Sequence, residues 1–319
     1  MTAGESELTP PATAQVGAHA TTRARRPARI SFKGDWWRHL IALFAVSIAL
    51  FPVVFIVSSA FNRDNTLQGA QVIPTHVTLH NFGNLLHNNV ETSGGGKADA
   101  PYLSWVLNSM IIAGATALFS TMLGALAAYA FSRFRFRGRR MGMVALLLIQ
   151  MFPQIVAVAA IYLLVLNVGR IFHPIGLNTL LAVIVVYLGG AMGVQTWLMK
   201  GYFDTIPKEL DESARVDGAT AAQIFWGVIL PLAAPVLVVV ALISFVFTLN
   251  EFVLASALLQ TNDHFTLPVG MQGFISQQYG QRWGPFAAGS LMALVPVVVL
   301  FLVLQKWIVN GLTAGAVKG

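Results

Sequence analysis

The chain carries six apolar blocks, each long enough to cross a lipid bilayer, and that pattern restricts its fold more than any other feature. A transmembrane helix takes roughly 20 mostly apolar residues at about 1.5 Å rise each. The expected spans are 36–61, 104–131, 141–166, 179–201, 232–259 and 285–309. Of the 319 residues, 56% are hydrophobic and only 10% charged, whereas an ordinary soluble domain has about 25% charged. So little polar surface cannot coat a water-soluble globule of this size. The expected fold class is all-α, a polytopic membrane protein with six transmembrane helices. Pro153, Pro235 and Pro296 fall inside these lines, where neighbouring helices can satisfy the freed carbonyls. Gly124 with Ala128, and Gly189 with Gly193, have the four-residue spacing that suits close helix packing.

The organisation follows from what lies between the blocks. Residues 1–35 are rich in Ala, Thr, Pro and Arg with no apolar period, and a disordered basic tail is expected there. Residues 36–310 form the membrane domain, and 311–319 a short C-terminal tail. Placing the N-terminus in the cytoplasm puts sixteen basic residues inside: Arg23, Arg25, Arg26, Arg29, Lys33, Arg38, Arg133, Arg135, Arg137, Arg139, Arg140, Lys200, Lys208, Arg215, Lys306 and Lys318. Only Arg63, Lys97, Arg170 and Arg282 then lie outside, a firm positive-inside asymmetry. Both termini are expected in the cytoplasm, with external loops at 62–103, 167–178 and 260–284.

Several chemistries are absent. The net charge of +7 needs no nucleic acid, because basic residues at cytoplasmic helix ends account for it. There is no cysteine, so disulfides and thiolate chemistry are excluded. Gly96-Lys97 is followed by Ala98, which breaks the P-loop pattern, and the seven histidines form no zinc motif. Energy for any pumping must come from a partner chain.

The most informative stretch is the inside loop 202–231. Pro207 suits a first helical turn. Leu210, Ser213 and Ala214 share one face, and Glu209, Asp211, Glu212 and Arg215 mark a polar side. Gly218 can end this helix in the left-handed conformation. Thr220 with Gln223 makes a capping-box pattern for a second short helix that ends at Pro231. The loop therefore reads as a compact knob of two short helices. Glu212-Ser213-Ala214, then Asp217-Gly218-Ala219, then Leu230-Pro231 resemble the EAA loop of binding-protein-dependent ABC importer permeases. Ser213 replaces the usual second Ala, and Val228 the usual Ile. The resemblance implies that this knob is a coupling helix seated in a cleft of an ATP-binding subunit.

The chain's end narrows the likeness. Gly311, Leu312, Thr313, Gly315, Lys318 and Gly319 fit the G-L-T-x-G-x-V-K-G ending of maltose-importer permeases. That resemblance implies a tail reaching between the ATP-binding subunits, against the plain reading of a frayed end. Thr248-Leu249-Asn250-Glu251-Phe252 is similar to the W-N-E-F of sugar permeases, with Leu249 where Trp is usual. A carboxylate inside an apolar span is costly, about 2.5–3.5 kcal/mol on insertion scales. Glu251, with Asn250 beside it, is thus either a pathway residue or a paired carboxylate near the outer end. Gln272, Gln277, Gln278 and Tyr279 in loop 260–284 suit contact with a sugar or a protein, and equally a wet interfacial loop.

The resemblance implies the type I ABC importer fold in a bacterial cell membrane. It also implies a second permease, two ATP-binding subunits and an external sugar-binding protein. ATP and Mg would be held by those subunits and no cofactor by this chain. The implied sugars are maltose, maltodextrin or a related α-glucoside such as trehalose. An ion-driven transporter would call for more intramembrane charges and an internal repeat. A membrane-embedded enzyme would need a cluster of catalytic groups at one depth, and the spans contain none.

Overall fold

A computed structural model describes residues 36–62, 77–91, 97–276 and 281–316. The tail 1–35, the glycine-rich stretch 93–96, Gln277, Gln278 and Tyr279, and Lys318 and Gly319 lie outside the described residues. Helix α1 (Trp36–Phe61) contains Pro52. Residues 36–50 belong to a unit of their own and are helical, with every side chain exposed. A helix apolar all round leaves such a surface for lipid or another apolar chain to cover.

The second unit begins at Phe51. After the end of α1 comes α2 (His80–Leu86), inside what reads in sequence as a connector. Asn81 is buried and donates to the Ala60 and Asn62 carbonyls at 3.0 and 2.9 Å, which satisfies backbone groups that α1 leaves open. A small antiparallel hairpin, Val90–Glu91 with Lys97–Ala98, leads to α3 (Tyr102–Arg133). Then follow α4 (Arg139–Gln150), α5 (Gln154–Ile171), α6 (Leu180–Phe203), α7 (Glu209–Val216) and α8 (Ala221–Ile224). A π-helical turn, Phe225–Ile229, joins α8 to α9 (Leu230–Leu249). The chain continues through α10 (Val253–Leu258) and α11 (Leu267–Ile275) to α12 (Trp283–Ala316).

Among the described residues five helical segments are long and apolar enough to span a bilayer: 36–61, 102–133, 154–171, 221–249 and 283–306. Counting Leu180–Gly190 with Gly193–Phe203, bent by 51°, as one span makes six. Three expected lines are redrawn. The third, 141–166, is broken between α4 and α5, because the residue before Pro153 is driven out of the helical region. Pro235 and Pro296, by contrast, lie within helices. The fifth span stops at Leu249 rather than 259, where the Asn250 side chain returns to the Val246 carbonyl at 2.7 Å. In the last, the helical backbone runs on through Gly311 to Ala316, past the expected break at 310.

Helix α3 is the axis of this unit and packs mainly on α6 and α9. At Gly124 an added Cβ would stand 3.0 Å from Met199 Cε, so the small residue permits the close approach of α3 and α6. The two ends of α3 sit in different cores. Tyr102 and Trp105 at its start are buried with Leu85, Leu267, Met271, Phe274 and Ala288. Ala125, Ala128 and Tyr129 near its end are buried with Met199, Phe203, Ile224, Phe225 and Ile229. The first core gathers α2, α11 and the start of α12, and the second holds the knob.

Candidate functional site

The knob is built as its residues dictate. Glu209, Asp211 and Glu212 occupy the first turn of α7, where carboxylates face the positive end of the helix dipole. Gly218 has φ +85°, and the helix closes behind it with Gly218 N–H on the Arg215 carbonyl (3.0 Å) and Ala219 N–H on Ala214 (2.9 Å). Thr220 and Gln223 form the reciprocal capping box: Gln223 N–H donates to Thr220 Oγ1 at 3.3 Å, and Thr220 N–H to Gln223 Oε1 at 2.8 Å. The π turn then delivers the chain into α9, with Pro231 at its second residue.

One surface of the knob is open. Glu209, Glu212, Ser213, Arg215, Asp217, Gly218 and Pro231 are exposed, and Val216 is 88% exposed at the tip. Ala214 and Leu230 are half-buried. Val216 stands there among exposed charged neighbours, Glu212, Arg215 and Asp217. The inner surface corrects the sequence reading. Asp211 does not belong to the polar side, because its carboxylate is buried and Oδ2 lies 2.8 Å from Arg133 Nε. Arg133, expected among the basic residues facing the cytoplasm, has a side chain only 2% exposed. Its Nη2 also donates to the Ile206 carbonyl at 3.0 Å. Next to it Ser132 Oγ donates to Asp204 Oδ1 at 2.7 Å, and Lys200 donates to Oδ2. Burial pushes the Asp204 carboxyl up, but the hydrogen bonds from Lys200 and Ser132 outweigh it and hold it below its ordinary value.

Glu251 stands elsewhere, in the turn between α9 and α10 and not inside a span. Its Oε1 accepts from Leu254 N–H at 2.9 Å and Oε2 from Ala255 N–H at 3.1 Å, so the carboxylate caps α10. Tyr187 OH on α6 donates to the same Oε2. Both oxygens are engaged within the protein, and Asn250 beside it is exposed. Gln272 is exposed on α11, whose Leu267, Gly270, Met271 and Phe274 point into the core against Trp105. Residues 267–275 are therefore an anchored helix on which Gln272 is exposed, and the knob, Glu251 and Gln272 are three separate places.

Residues 120–313 match the family described as binding-protein-dependent transport system inner membrane component. The chain belongs to that family. Relatives match along nearly the whole chain. The galactooligosaccharides transport system permease protein GanQ of Bacillus subtilis is 39% identical over 300 residues, 94% of this chain and 99% of GanQ. The maltose/maltodextrin transport system permease protein MalG of Vibrio vulnificus is 39% identical over 292 residues, covering 91% and 98%. MalG of Escherichia coli K12 is also 39% identical, covering 88% and 95%. A bacterial ABC transporter importing the acidic polysaccharide alginate shares the fold, with a TM-score of 0.68 at 23% identity over 86% of this chain and 96% of the other. This member of the family thus has a membrane-embedded helical body, and the knob at 202–231 falls within the matched region.

Proposed function

We propose that this chain is one permease subunit of an ATP-driven ABC importer for an oligosaccharide, working in a bacterial cytoplasmic membrane. The observation that carries the reading is the knob: an ordered two-helix turn with an open face, in a chain of the binding-protein-dependent family. The proposed assembly has a second permease, two ATP-binding subunits that hold ATP and Mg, and an external binding protein. The open face of α7 seats on an ATP-binding subunit through Glu209, Glu212, Ser213, Ala214, Asp217 and Gly218, with Leu230 and Pro231 fixing the return into the membrane. Closure of the ATP-bound pair moves the knob and biases the helices toward the outward-facing state, because the contacts differ between the two states. Gly311, Leu312, Thr313 and Gly315, with Lys318 and Gly319 beyond the described residues, reach the ATP-binding pair. Asn250 and Glu251 border the pathway, while Gln272, with Gln277, Gln278 and Tyr279, contacts the binding protein.

Maltose and maltodextrin are the first substrates to test, since relatives named for them match along most of the chain. Galactooligosaccharide is the second, because GanQ is equally identical. The test is co-purification of the chain with ATP-binding subunits, followed by ATPase assays with binding protein loaded with each sugar. Stimulation by one loaded protein is expected. Assembly without an ATP-binding subunit would refute the importer reading.

A further inference from the structure

The last turn of α3 contacts the knob at several points. Tyr129, Ser132 and Arg133 lie three and four residues apart, on one helical face. Tyr129 OH donates to the Ala221 carbonyl of α8 at 3.3 Å, and its ring lies 5.1 Å from that of Phe225. Ser132 reaches Asp204 at the end of α6, and Arg133 reaches the Ile206 carbonyl and Asp211 of α7. The α9 side of the knob has a different connection, since the chain enters that helix through a π turn, a local loosening of the helical ladder. Ion pairs on a surface are screened and weak, but this one is withdrawn from water, with side chains 2% and 5% exposed. A buried pair resists separation, because either charge left alone is stranded in a low dielectric.

We infer that the Arg133–Asp211 pair is the strut that makes α7 and the end of α3 move as one body, so that force on the knob enters the membrane through α3. This rests on the reading of the knob as the docking element. Arg133 and Asp211 are positioning residues: they face inward, away from any partner. The pair fixes the orientation of the face that carries Glu212 and Gly218. It also carries that face's displacement to the helix around which α6 and α9 pack.

The experiment uses the complete transporter in proteoliposomes, with ATP hydrolysis and uptake of labelled maltotriose measured together. Galactotriose replaces it where the wild type takes that sugar instead. Loss of folded protein lowers both quantities alike, whereas loss of the strut lowers sugar moved per ATP. Asp211→Asn is expected to lower that ratio about tenfold, the size of a coupling term of one to two kcal/mol. Asp211→Glu should restore it. The chain has no cysteine, so the pair Arg133→Cys with Asp211→Cys allows a second measurement, without stranding a charge. Unbridged, this pair should be uncoupled; joined by a short bis-thiosulfonate reagent, it should regain the ratio. A wild-type ratio in Asp211→Asn overturns the strut, as does a bridge that blocks transport until it is reduced. If Gly218→Leu also transports normally per ATP, it is the docking reading that fails.

Discussion

Gly218 shows how one residue separates two demands. No heavy atom lies within 4 Å of where its Cβ would stand, yet φ is +85°, so any L side chain is strained there without being crowded. The strain is about 1–3 kcal/mol for a non-glycine residue and nearly independent of side-chain size. Gly218→Ala and Gly218→Leu should therefore lose similar thermal stability in detergent. Transport per ATP should fall further for Leu, because its bulk would project from the open face into the proposed partner. Equal transport losses in the two variants would place no partner at this position. Glu251 is the contrasting case, a charge used internally. Glu251→Ala removes a helix cap and leaves the Tyr187 hydroxyl without its acceptor, a loss of roughly 2–4 kcal/mol. Glu251→Gln retains a side-chain oxygen for the cap and should keep the sugar-to-ATP ratio even where it melts earlier. A proton carrier at this position would instead be abolished by the amide, and uptake by Glu251→Gln distinguishes the two.

At the scale of elements, the glycines predict which helices tolerate change. An added Cβ at Gly270 of α11 would lie 2.2 Å from the buried Trp105 ring, which is itself held by its Nε1 hydrogen bond to the Asn262 carbonyl at 2.8 Å. The ring cannot yield, so Gly270→Ala should destabilise by about 1–3 kcal/mol and expose the 260–276 segment to protease. Gly190→Ala, with nothing within 4 Å, should be near neutral in the same assay. Much of this element structure was legible in the residues: the apolar blocks, the Thr220–Gln223 cap and the left-handed Gly218 are local signals, spanning a few positions each. What was not legible depends on partners distant in sequence. Nothing in the pattern of α7 distinguishes Asp211 from Glu212, and only Arg133, a helix away, turns one inward and leaves the other exposed. The break after Leu249 was missed for the same reason. Hydropathy continues across Asn250 and Glu251, while the side chains that end one helix and cap the next are invisible to it. α11 is likewise hidden in the sequence, because Gly270 and Gly273 weaken the helical signal and Gly270 is what close packing on Trp105 requires.

For the whole molecule, the question is which side of the membrane each core faces. The structure separates them without using charge: α2, α11 and the two helix starts share one core, and the knob belongs to the other, at the opposite end of α3. One helical segment long and apolar enough to cross, residues 221–249, joins the knob to the α11 side, so the two are expected in opposite compartments whether five or six segments span. The basic residues then assign the compartments. Arg133, Arg135, Arg137, Arg139 and Arg140 cluster where α3 ends and α4 begins, at the knob end, whereas Arg282 N–H donates to the Phe274 carbonyl of α11 at the other. Basic residues are retained on the cytoplasmic side, so the orientation expected from charge has the knob inside and α11 outside. The natural sequence has no cysteine, so Ser213→Cys and Gln272→Cys each give one exposed thiol without background. In intact cells, after removal of any outer barrier, an impermeant maleimide should label Gln272→Cys. It should reach Ser213→Cys only after the membrane is opened and the ATP-binding subunits are stripped away. Labelling of Ser213→Cys in sealed cells would invert the topology and, with it, the proposal that the knob meets ATP-driven subunits in the cytoplasm.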